Sequence, residues 1–330
     1  MAYTEKNTDG LQVLKIRKHT TLLARFPEVV AADNRERYRA TTLIYGKAIQ
    51  PAALTAVERV TGEPLQIVAA WKVGRYDCLL VANPYDLQLE QGVVSQQLDI
   101  ADLRDAPDLR EPGLVVMDMD STAIEIECID EIAALAGVGE QVSAVTERAM
   151  QGELDFAQSL RERVAALKGA DEAILAEVRE RLPMMPELRE MVVTLQARGW
   201  KLAIASGGFT YFSDYLRDEL GLVEARSNTL GIEDGKLTGN VEGEIVDAQA
   251  KASILRNLAS QLDIAPHNTV AIGDGANDLA MIHAAGLGVA YHAKPRVEAE
   301  SPVAIRFADL GGLVCILSAS LVPQQLGWSG

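Results

Sequence analysis

The chain has 330 residues, of which 48% are hydrophobic and 24% charged, a composition typical of a globular protein long enough for two domains. Its net charge of −16 comes from the part beyond residue 105, because residues 1–105 carry 13 basic and 13 acidic residues and the remainder carries 18 and 34. This acidic balance excludes nucleic acid as a favoured partner, since phosphate backbones bind to basic surfaces.

Three scattered cysteines, Cys78, Cys128 and Cys315, show neither a zinc-binding spacing nor a disulfide pattern. The opening residues are polar and lack the apolar core of a signal peptide. No apolar run approaches the ~20 residues that a membrane span needs. We therefore expect a cytoplasmic protein with no membrane partner.

The first predicted elements form a small α+β domain over residues 1–105. A strand at 40–45 precedes a helix at 51–60 with proline in its first turn, and a hairpin over 65–82 turns at Gly74. This βαββ order is similar to that of amino-acid-binding regulatory domains of the ACT type. A structural domain that pairs two chains in a homodimer fits it equally well.

A linker rich in aspartate, with two prolines, is predicted over residues 98–112, and a second domain follows over 113–330. That domain begins with an apolar strand that ends in Asp118 and Asp120. Because side chains alternate along a strand, both carboxylates emerge on one side, at the carboxyl end of a buried strand, where open α/β sheets bind ligands. The pair could share a metal, or one could attack while the other transfers protons. An ordinary strand-to-loop turn is the structural alternative.

The segment from about 125 to 189 is helical in pattern and interrupts the α/β order. A helical insert after the first strand of such a sheet can cover the crevice, so we expect a cap here. Beyond it, alternating residues on either side of Asp234 and Gly235 predict a hairpin with a tight turn.

Two later apolar strands end in groups that suit a phosphate or a metal. The strand at 200–205 runs into Ser206 and Gly207, where backbone N–H groups can close on a phosphate oxygen. The strand at 268–272 runs into the acidic loop 273–278. Each feature alone fits an ordinary turn. Because the strand ends deliver such groups in one doubly wound α/β pattern, the sequence predicts a single site at one edge of a parallel sheet.

The motifs resemble those of the haloacid dehalogenase superfamily in order and spacing. Residues 118–122, 206–209, Lys251 and 273–278 carry the resemblance, which covers roughly 113–318. It implies a doubly wound, Rossmann-like α/β core with a helical cap. The insert resembles the branch of the superfamily that acts on phosphoserine, in three stretches: Glu127, 129–133 and 149–164.

The resemblance implies Mg²⁺-dependent hydrolysis of L-phosphoserine to L-serine and phosphate, the last step of serine biosynthesis. Asp118 would be the nucleophile that forms an aspartyl-phosphate, and Asp120 the general acid and base. Mg²⁺ would bind the Asp118 carboxylate, the Asp120 backbone carbonyl and Asp274, with Asp278 behind them. Hard oxygen ligands without histidine or cysteine suit this metal.

The resemblance also implies a set of substrate contacts. Glu127 would bind the ammonium group of the substrate and Arg163 its carboxylate by a charge-assisted fork. Met150 and Phe156 would shield the site from water. The phosphoryl oxygens would be held by four residues, Ser206, Gly207, Lys251 and Asn277.

Two other functions stay open on the sequence. A related phosphatase or phosphotransferase could act on another small phosphomonoester. A receiver-type signalling domain also forms an aspartyl-phosphate on a doubly wound sheet, but it lacks the helical insert and the acid at Asp120. Since every matched motif lies beyond residue 105, we also expect the chain from about residue 106 to fold and hydrolyse its substrate alone.

Overall fold

Two β-sheets organise the computed structural model of the chain, which describes residues 13–18 and 40–321. The polar opening of the chain, on which the expectation about a signal peptide rests, lies outside the described residues. Within the described part, no helix is both long and apolar enough to cross a membrane.

The first sheet is antiparallel and has five strands among the described residues, in the order β1-β3-β4-β2-β5. Its domain comprises β1 Ile16–Lys18, β2 Thr42–Lys47, α1 Pro51–Thr61, β3 Ile67–Val73, β4 Tyr76–Val81, α2 Leu87–Val94 and β5 Asp99–Asp102. The predicted helix is confirmed as α1, which begins at Pro51 because the fixed φ of proline suits the first helical turn. The predicted hairpin at Gly74 is confirmed as β3 and β4.

Strand β5 shows that the predicted linker over 98–112 was wrong at its beginning. Asp99–Asp102 pairs with β2 as an edge strand of the first sheet. The Asp99 carboxylate is buried and accepts hydrogen bonds from the backbone N–H groups of Arg306 and Ala308, both at 2.7 Å. Asp99, one of the aspartates that made this segment resemble a loop, therefore serves contacts with the second domain.

The second sheet has seven strands within residues 40–321, in the order β12-β11-β10-β6-β7-β8-β9, and only β9 is antiparallel to its neighbour. The strands are β6 Leu114–Met117, β7 Lys201–Phe209, β8 Glu224–Glu233, β9 Lys236–Glu242, β10 Thr269–Gly273, β11 Leu287–Tyr291 and β12 Val303–Ile305. The hairpin predicted at Asp234 and Gly235 is confirmed as β8 and β9.

The insert is helical, as predicted. Its helices are α3 Cys128–Leu135, α4 Gly139–Met150, α5 Phe156–Ala166 and α6 Ala173–Glu180. The helices that follow are α7 Leu188–Gln196, α8 Thr210–Leu220, α9 Ala248–Gln261, α10 Leu279–Ala284, α11 Pro295–Glu300 and α12 Gly311–Ser318. Short 3-10 turns occupy Pro266–Asn268, Ala276–Asp278 and Ala319–Leu321.

Two short antiparallel segments, residues 123–125 and 183–185, join the cap to the core, and we call them the cap hinge. Met185 N donates a hydrogen bond to Ala123 O at 2.9 Å. Helix α7 begins at Leu188 and packs into the core, so the insert ends slightly before the predicted residue 189.

The two domains share one hydrophobic core, and α12 lies between their sheets. Every residue of α12 is buried. Trp71 Nε1 of the first sheet donates to Ser318 Oγ at 2.7 Å, and a Cβ on Gly312 would lie 3.3 Å from the ring of Tyr45. The small residues on this face of α12 let the first sheet approach closely.

Candidate active site

The candidate site forms where three neighbouring parallel strands end. β6 lies between β10 and β7, and its last residue, Met117, is in register with Ile272 on one side and Ile204 on the other. The chain therefore delivers Asp118 and Ser206 to the same edge of the sheet, together with the acidic loop after β10. This is the position that the strand pattern predicts, because parallel strands carry their ligands at their carboxyl ends.

Lys251 is fully buried between two carboxylates of this edge. Its Nζ lies 2.9 Å from Asp118 Oδ1 and 2.7 Å from Asp278 Oδ1. Burial opposes the charge on the lysine, but the two carboxylates outweigh it and raise the pKa of Lys251. The lysine therefore stays protonated and holds Asp118 from behind.

Asp118, Asp274 and Asp278 each place an oxygen within 4.8 Å of the others. Burial and the charge of Asp118 raise the pKa of Asp274 to about 6 and that of Asp278 to about 7, although the charge of Lys251 opposes both shifts. The set offers only hard oxygens, so these residues fit Mg²⁺. Both oxygens of Asp278 are already hydrogen-bonded, to Lys251 Nζ and to Gly275 N at 3.0 Å.

Asp120 lies beside Asp118 at the base of the cap and is partly buried. Burial raises its pKa well above the usual range, and the nearby carboxylates of Glu127 and Asp118 add to the effect. Both effects favour the protonated form of the carboxyl group, which is the form that a general acid needs. The backbone N–H of Cys128 approaches Asp120 Oδ1 at 3.4 Å.

The glycine loop after β7 approaches the cap closely. Ser206 Oγ accepts a hydrogen bond from Gly208 N at 2.9 Å. A Cβ on Gly207 would lie 2.7 Å from Phe156 Cζ, so only glycine leaves room for the ring. Phe156 thus covers this loop, in the position that the sequence predicts for a residue that shields the site.

A cavity of about 410 Å³ opens between the cap and the strand ends. The cap contributes Glu127, Ile129, Phe156, Leu160 and Arg163 to its wall. The core contributes Asp118, Asp120, Ser206, Gly207, Gly208, Phe209, Asp274, Gly275, Ala276, Asn277, Lys294, Arg296 and Val297. The structure therefore brings together most of the predicted site residues around one space.

Arg163 carries an unsatisfied donor in this cavity. Its Nε is buried and has no hydrogen-bond partner among the described residues. Burial lowers the pKa of Arg163, although the nearby carboxylates of Asp130, Glu127 and Asp120 favour its charge. A buried guanidinium nitrogen without a partner is costly, unless an anionic ligand completes its hydrogen bonding.

Two predicted substrate residues do not line the cavity. Met150 ends α4 with 74% of its surface exposed, because among the residues of α4 only Val142 is buried against the rest of the protein. The prediction that Met150 shields the site is therefore not met in this arrangement of the cap. Lys251 lies behind Asp118 instead of on the wall, so its contact with the site runs through that carboxylate.

Asn228 and Lys294 are site residues that sequence reasoning missed. Asn228, buried in β8, donates from Nδ2 to Gly207 O at 2.7 Å and accepts from Val246 N at 2.8 Å, so it fixes the glycine loop. Lys294 lines the cavity on the side away from the cap. Asn228 could have been found from the sequence, because an asparagine inside a strand is unusual. Lys294 could not, because a lysine before a proline is an ordinary feature of a loop.

Two family models match the chain. A model for haloacid dehalogenase-like hydrolases matches residues 112–286, and a model for a domain of unknown function (DUF5609) matches residues 38–102. The chain is also 59% identical over 321 residues to the phosphoserine phosphatase of Vibrio cholerae, a match that covers 97% of this chain and 98% of that protein.

Solved structures give the same result. The unliganded crystal structure of a probable phosphoserine phosphatase from Vibrio cholerae matches with a TM-score of 0.88 and 59% identity, over 96% of this chain and 98% of that one. A phospho-aspartyl intermediate analogue of phosphoserine phosphatase matches with a TM-score of 0.59 and 40% identity, over 62% of this chain and 98% of that one. The latter protein thus lacks a counterpart for more than a third of this chain.

Proposed function

Because the chain belongs to the phosphoserine phosphatases among the haloacid dehalogenase-like hydrolases, we propose that it hydrolyses L-phosphoserine to L-serine and phosphate. One observation carries the substrate assignment. Arg163, whose buried Nε has no hydrogen-bond partner among the described residues, lines the same cavity as Asp118 and Asp120. A phosphate ester that also bears a carboxylate could place its phosphate at the aspartates and its carboxylate at Arg163. Phosphoserine is such a compound.

The acidic cluster would hold the metal. The Asp118 and Asp274 carboxylates and the Asp120 backbone carbonyl would bind Mg²⁺, with Asp278 behind them, tied to Lys251. When bound, the ion would neutralise charge on the phosphoryl oxygens, which otherwise repel an anionic nucleophile. Thr122 Oγ1, 3.2 Å from Asp274 Oδ1, would orient that ligand.

The covalent chemistry would belong to two aspartates. An oxygen of Asp118 would attack phosphorus and form the aspartyl-phosphate while the bond from phosphorus to the serine oxygen breaks. Asp120 would give its proton to that oxygen. The same Asp120, now a carboxylate, would take a proton from a water that attacks the phosphorus of the aspartyl-phosphate, releasing phosphate and restoring Asp118. The raised pKa of Asp120 supports its role as the acid.

The remaining residues would bind and orient the substrate. Ser206, the Gly207 N–H and Asn277 would hold the phosphoryl oxygens from the core. Glu127 would bind the ammonium group and Arg163 the carboxylate from the cap. This division places recognition of serine on the cap and recognition of phosphate on the sheet.

The setting of the reaction is also proposed. Cys78, Cys128 and Cys315 are free and buried, which fits a reducing compartment and supports a cytoplasmic location.

The proposal is tested by comparing phosphoserine with phosphoethanolamine, which lacks the carboxylate. We expect kcat/KM to be higher for phosphoserine by a factor of at least about 30, the lower end of what a buried charge pair contributes. The measurement is the rate of phosphate release from each ester with Mg²⁺ present. Equal efficiency on the two esters would mean that the chain acts on another small phosphomonoester.

A further inference from the structure

The cap hinge ends at a residue with an unusual backbone conformation. Glu187 follows the returning hinge segment and precedes the first residue of α7, and its φ is 65°. This left-handed conformation is uncommon for a residue other than glycine and persists only where surrounding contacts enforce it. The contacts of Glu187 therefore fix the angle at which the chain returns from the cap to the core.

The first domain supplies those contacts. Glu187 Oε1 lies 2.8 Å from Arg75 Nε, and Glu187 Oε2 accepts a hydrogen bond from Tyr76 Oη at 2.7 Å. Both partners sit where the hairpin of β3 and β4 turns. Gly311 N, at the start of α12, donates to the same oxygen at 3.2 Å, and an added Cβ on this glycine would collide with the carboxylate.

Asp309 makes further contacts with the same hairpin. It accepts from Arg75 Nη2 and is also 3.1 Å from Lys47 Nζ, while its own N–H donates to Tyr76 Oη at 3.0 Å. The side chains of Glu187 and Asp309 are only 13% and 16% exposed, so salt screens these contacts less than it would screen surface pairs.

The other end of the hinge connects directly to the catalytic loop. Ala123 and Ile124 each donate a backbone hydrogen bond to Met119 O, at 2.8 and 3.0 Å, and Ala123 O accepts from Met185 N of the returning segment. The cap helix that carries Phe156 and Arg163 lies between these two segments. The position of Arg163 over the cavity therefore depends on how the hinge is held.

We infer that Arg75 and Tyr76 are positioning residues for the reaction: by holding Glu187, they keep the cap hinge at the angle that places Arg163 and Phe156 over the cavity. The first domain thereby takes part in substrate selection without touching substrate. This inference rests on the proposed function for its kinetic readout, and a second readout is independent of activity.

The test compares Tyr76→Phe, Arg75→Ala and the double variant with wild type in the full chain. Phenylalanine keeps the packing of the buried ring and removes the hydrogen bonds of Tyr76 Oη, both the one donated to Glu187 and the one accepted from the Asp309 N–H. We expect the ratio of kcat/KM for phosphoserine to that for phosphoethanolamine to fall on the order of tenfold in the double variant and less in each single one. The change should come mainly from a higher KM for phosphoserine, since Asp118 and Asp120 are untouched.

Glu90→Gln is the matched control. Glu90 forms another ion pair between the domains, 2.8 Å from Arg306 Nη2, away from the hinge. Losing this ion pair weakens the domain interface but leaves the contacts of Glu187 in place. The ratio of kcat/KM for phosphoserine to that for phosphoethanolamine should therefore stay at the wild-type value. An equal fall in Glu90→Gln would mean that any loosening of the interface has this effect, and would overturn the inference.

Hydrogen–deuterium exchange supplies the readout that needs no turnover. The Met185 N–H should exchange faster in Tyr76→Phe and in the double variant than in wild type or Glu90→Gln. If wild type fails to hydrolyse phosphoserine but this pattern appears, the substrate assignment is wrong and the hinge inference stands. A folded Tyr76→Phe variant with unchanged exchange at the hinge would overturn the inference, whatever the activity.

Discussion

Lys251 Nζ lies 2.9 Å from Asp118 Oδ1, in an ion pair with no access to solvent on the lysine side. A buried cation at this distance restricts the rotation of the carboxylate, because turning away would break a buried ion pair. The free oxygen of Asp118 is therefore held toward the cavity. Orientation of this kind supplies a large part of the barrier reduction in phosphoryl transfer.

We predict that Asp118→Asn abolishes turnover and leaves the fold intact. The amide has nearly the shape of the carboxylate but cannot act as the nucleophile. Steady-state phosphate release and circular dichroism check the two halves of the prediction. Turnover that persists in purified variant, after mass spectrometry excludes deamidation back to aspartate, would remove Asp118 from the nucleophile role.

Mg²⁺ should raise the melting temperature of the wild type. The three carboxylates, with oxygens within 4.8 Å of one another, repel even though Lys251 pairs with two of them. An ion that binds only the folded state therefore stabilises it by mass action, by about 2.7 kcal/mol at a hundred times its Kd. Asp274→Asn removes one ligand and should lose most of this shift. A shift of equal size in wild type and variant would place the ion elsewhere.

Arg163→Ala should lower kcat/KM for phosphoserine by on the order of 30-fold to several thousand-fold, since breaking one side of a buried charge pair costs roughly 2–5 kcal/mol. Hydrolysis of phosphoethanolamine should scarcely change. Arg161→Ala is the matched control, because Arg161 lies on the same helix but is exposed. The same fractional loss on both esters would assign Arg163 to cap structure instead of to carboxylate recognition.

A chain that begins near residue 106 should still fold and hydrolyse phosphoserine. The residues that line the cavity and the seven described strands of the second sheet all lie beyond residue 105, although the truncation also uncovers the buried face of α12 that meets the first sheet. It also removes Arg75 and Tyr76, and preference for phosphoserine over phosphoethanolamine should fall as in the double variant. A folded but inactive truncation would show that the first domain completes the site itself.

The core of the site could be predicted because side-chain alternation along a strand is local, and a doubly wound pattern puts the carboxyl ends of parallel strands at one edge of the sheet. The alternation in residues 114–120 places two carboxylates on one side, and parallel pairing then brings Ser206 and Asp274 to the same edge. No step of that reasoning needs the orientation of a helix. The helical insert was predicted by the same kind of pattern.

What the sequence could not predict depends on how separate elements are set against each other. Met150 was expected at the cavity, but it is exposed at the end of α4, a helix in which only Val142 is buried. The support that Asn228 gives to Gly207 exists only because β7 and β8 are neighbours. Glu187 meets Arg75 across 112 positions of chain, a distance over which local patterns carry no information.

The place of α12 between the two sheets has a consequence for biosynthesis. β2 to β4 leave the ribosome long before α12, which is separated from Val81 by about 230 residues, or roughly 10–50 s of translation at 5–20 residues per second. During that interval Tyr45 and Trp71, both buried in the finished protein, have no helix to cover them. Chaperones should therefore bind the nascent first domain. They should release it only after α12 has been synthesised.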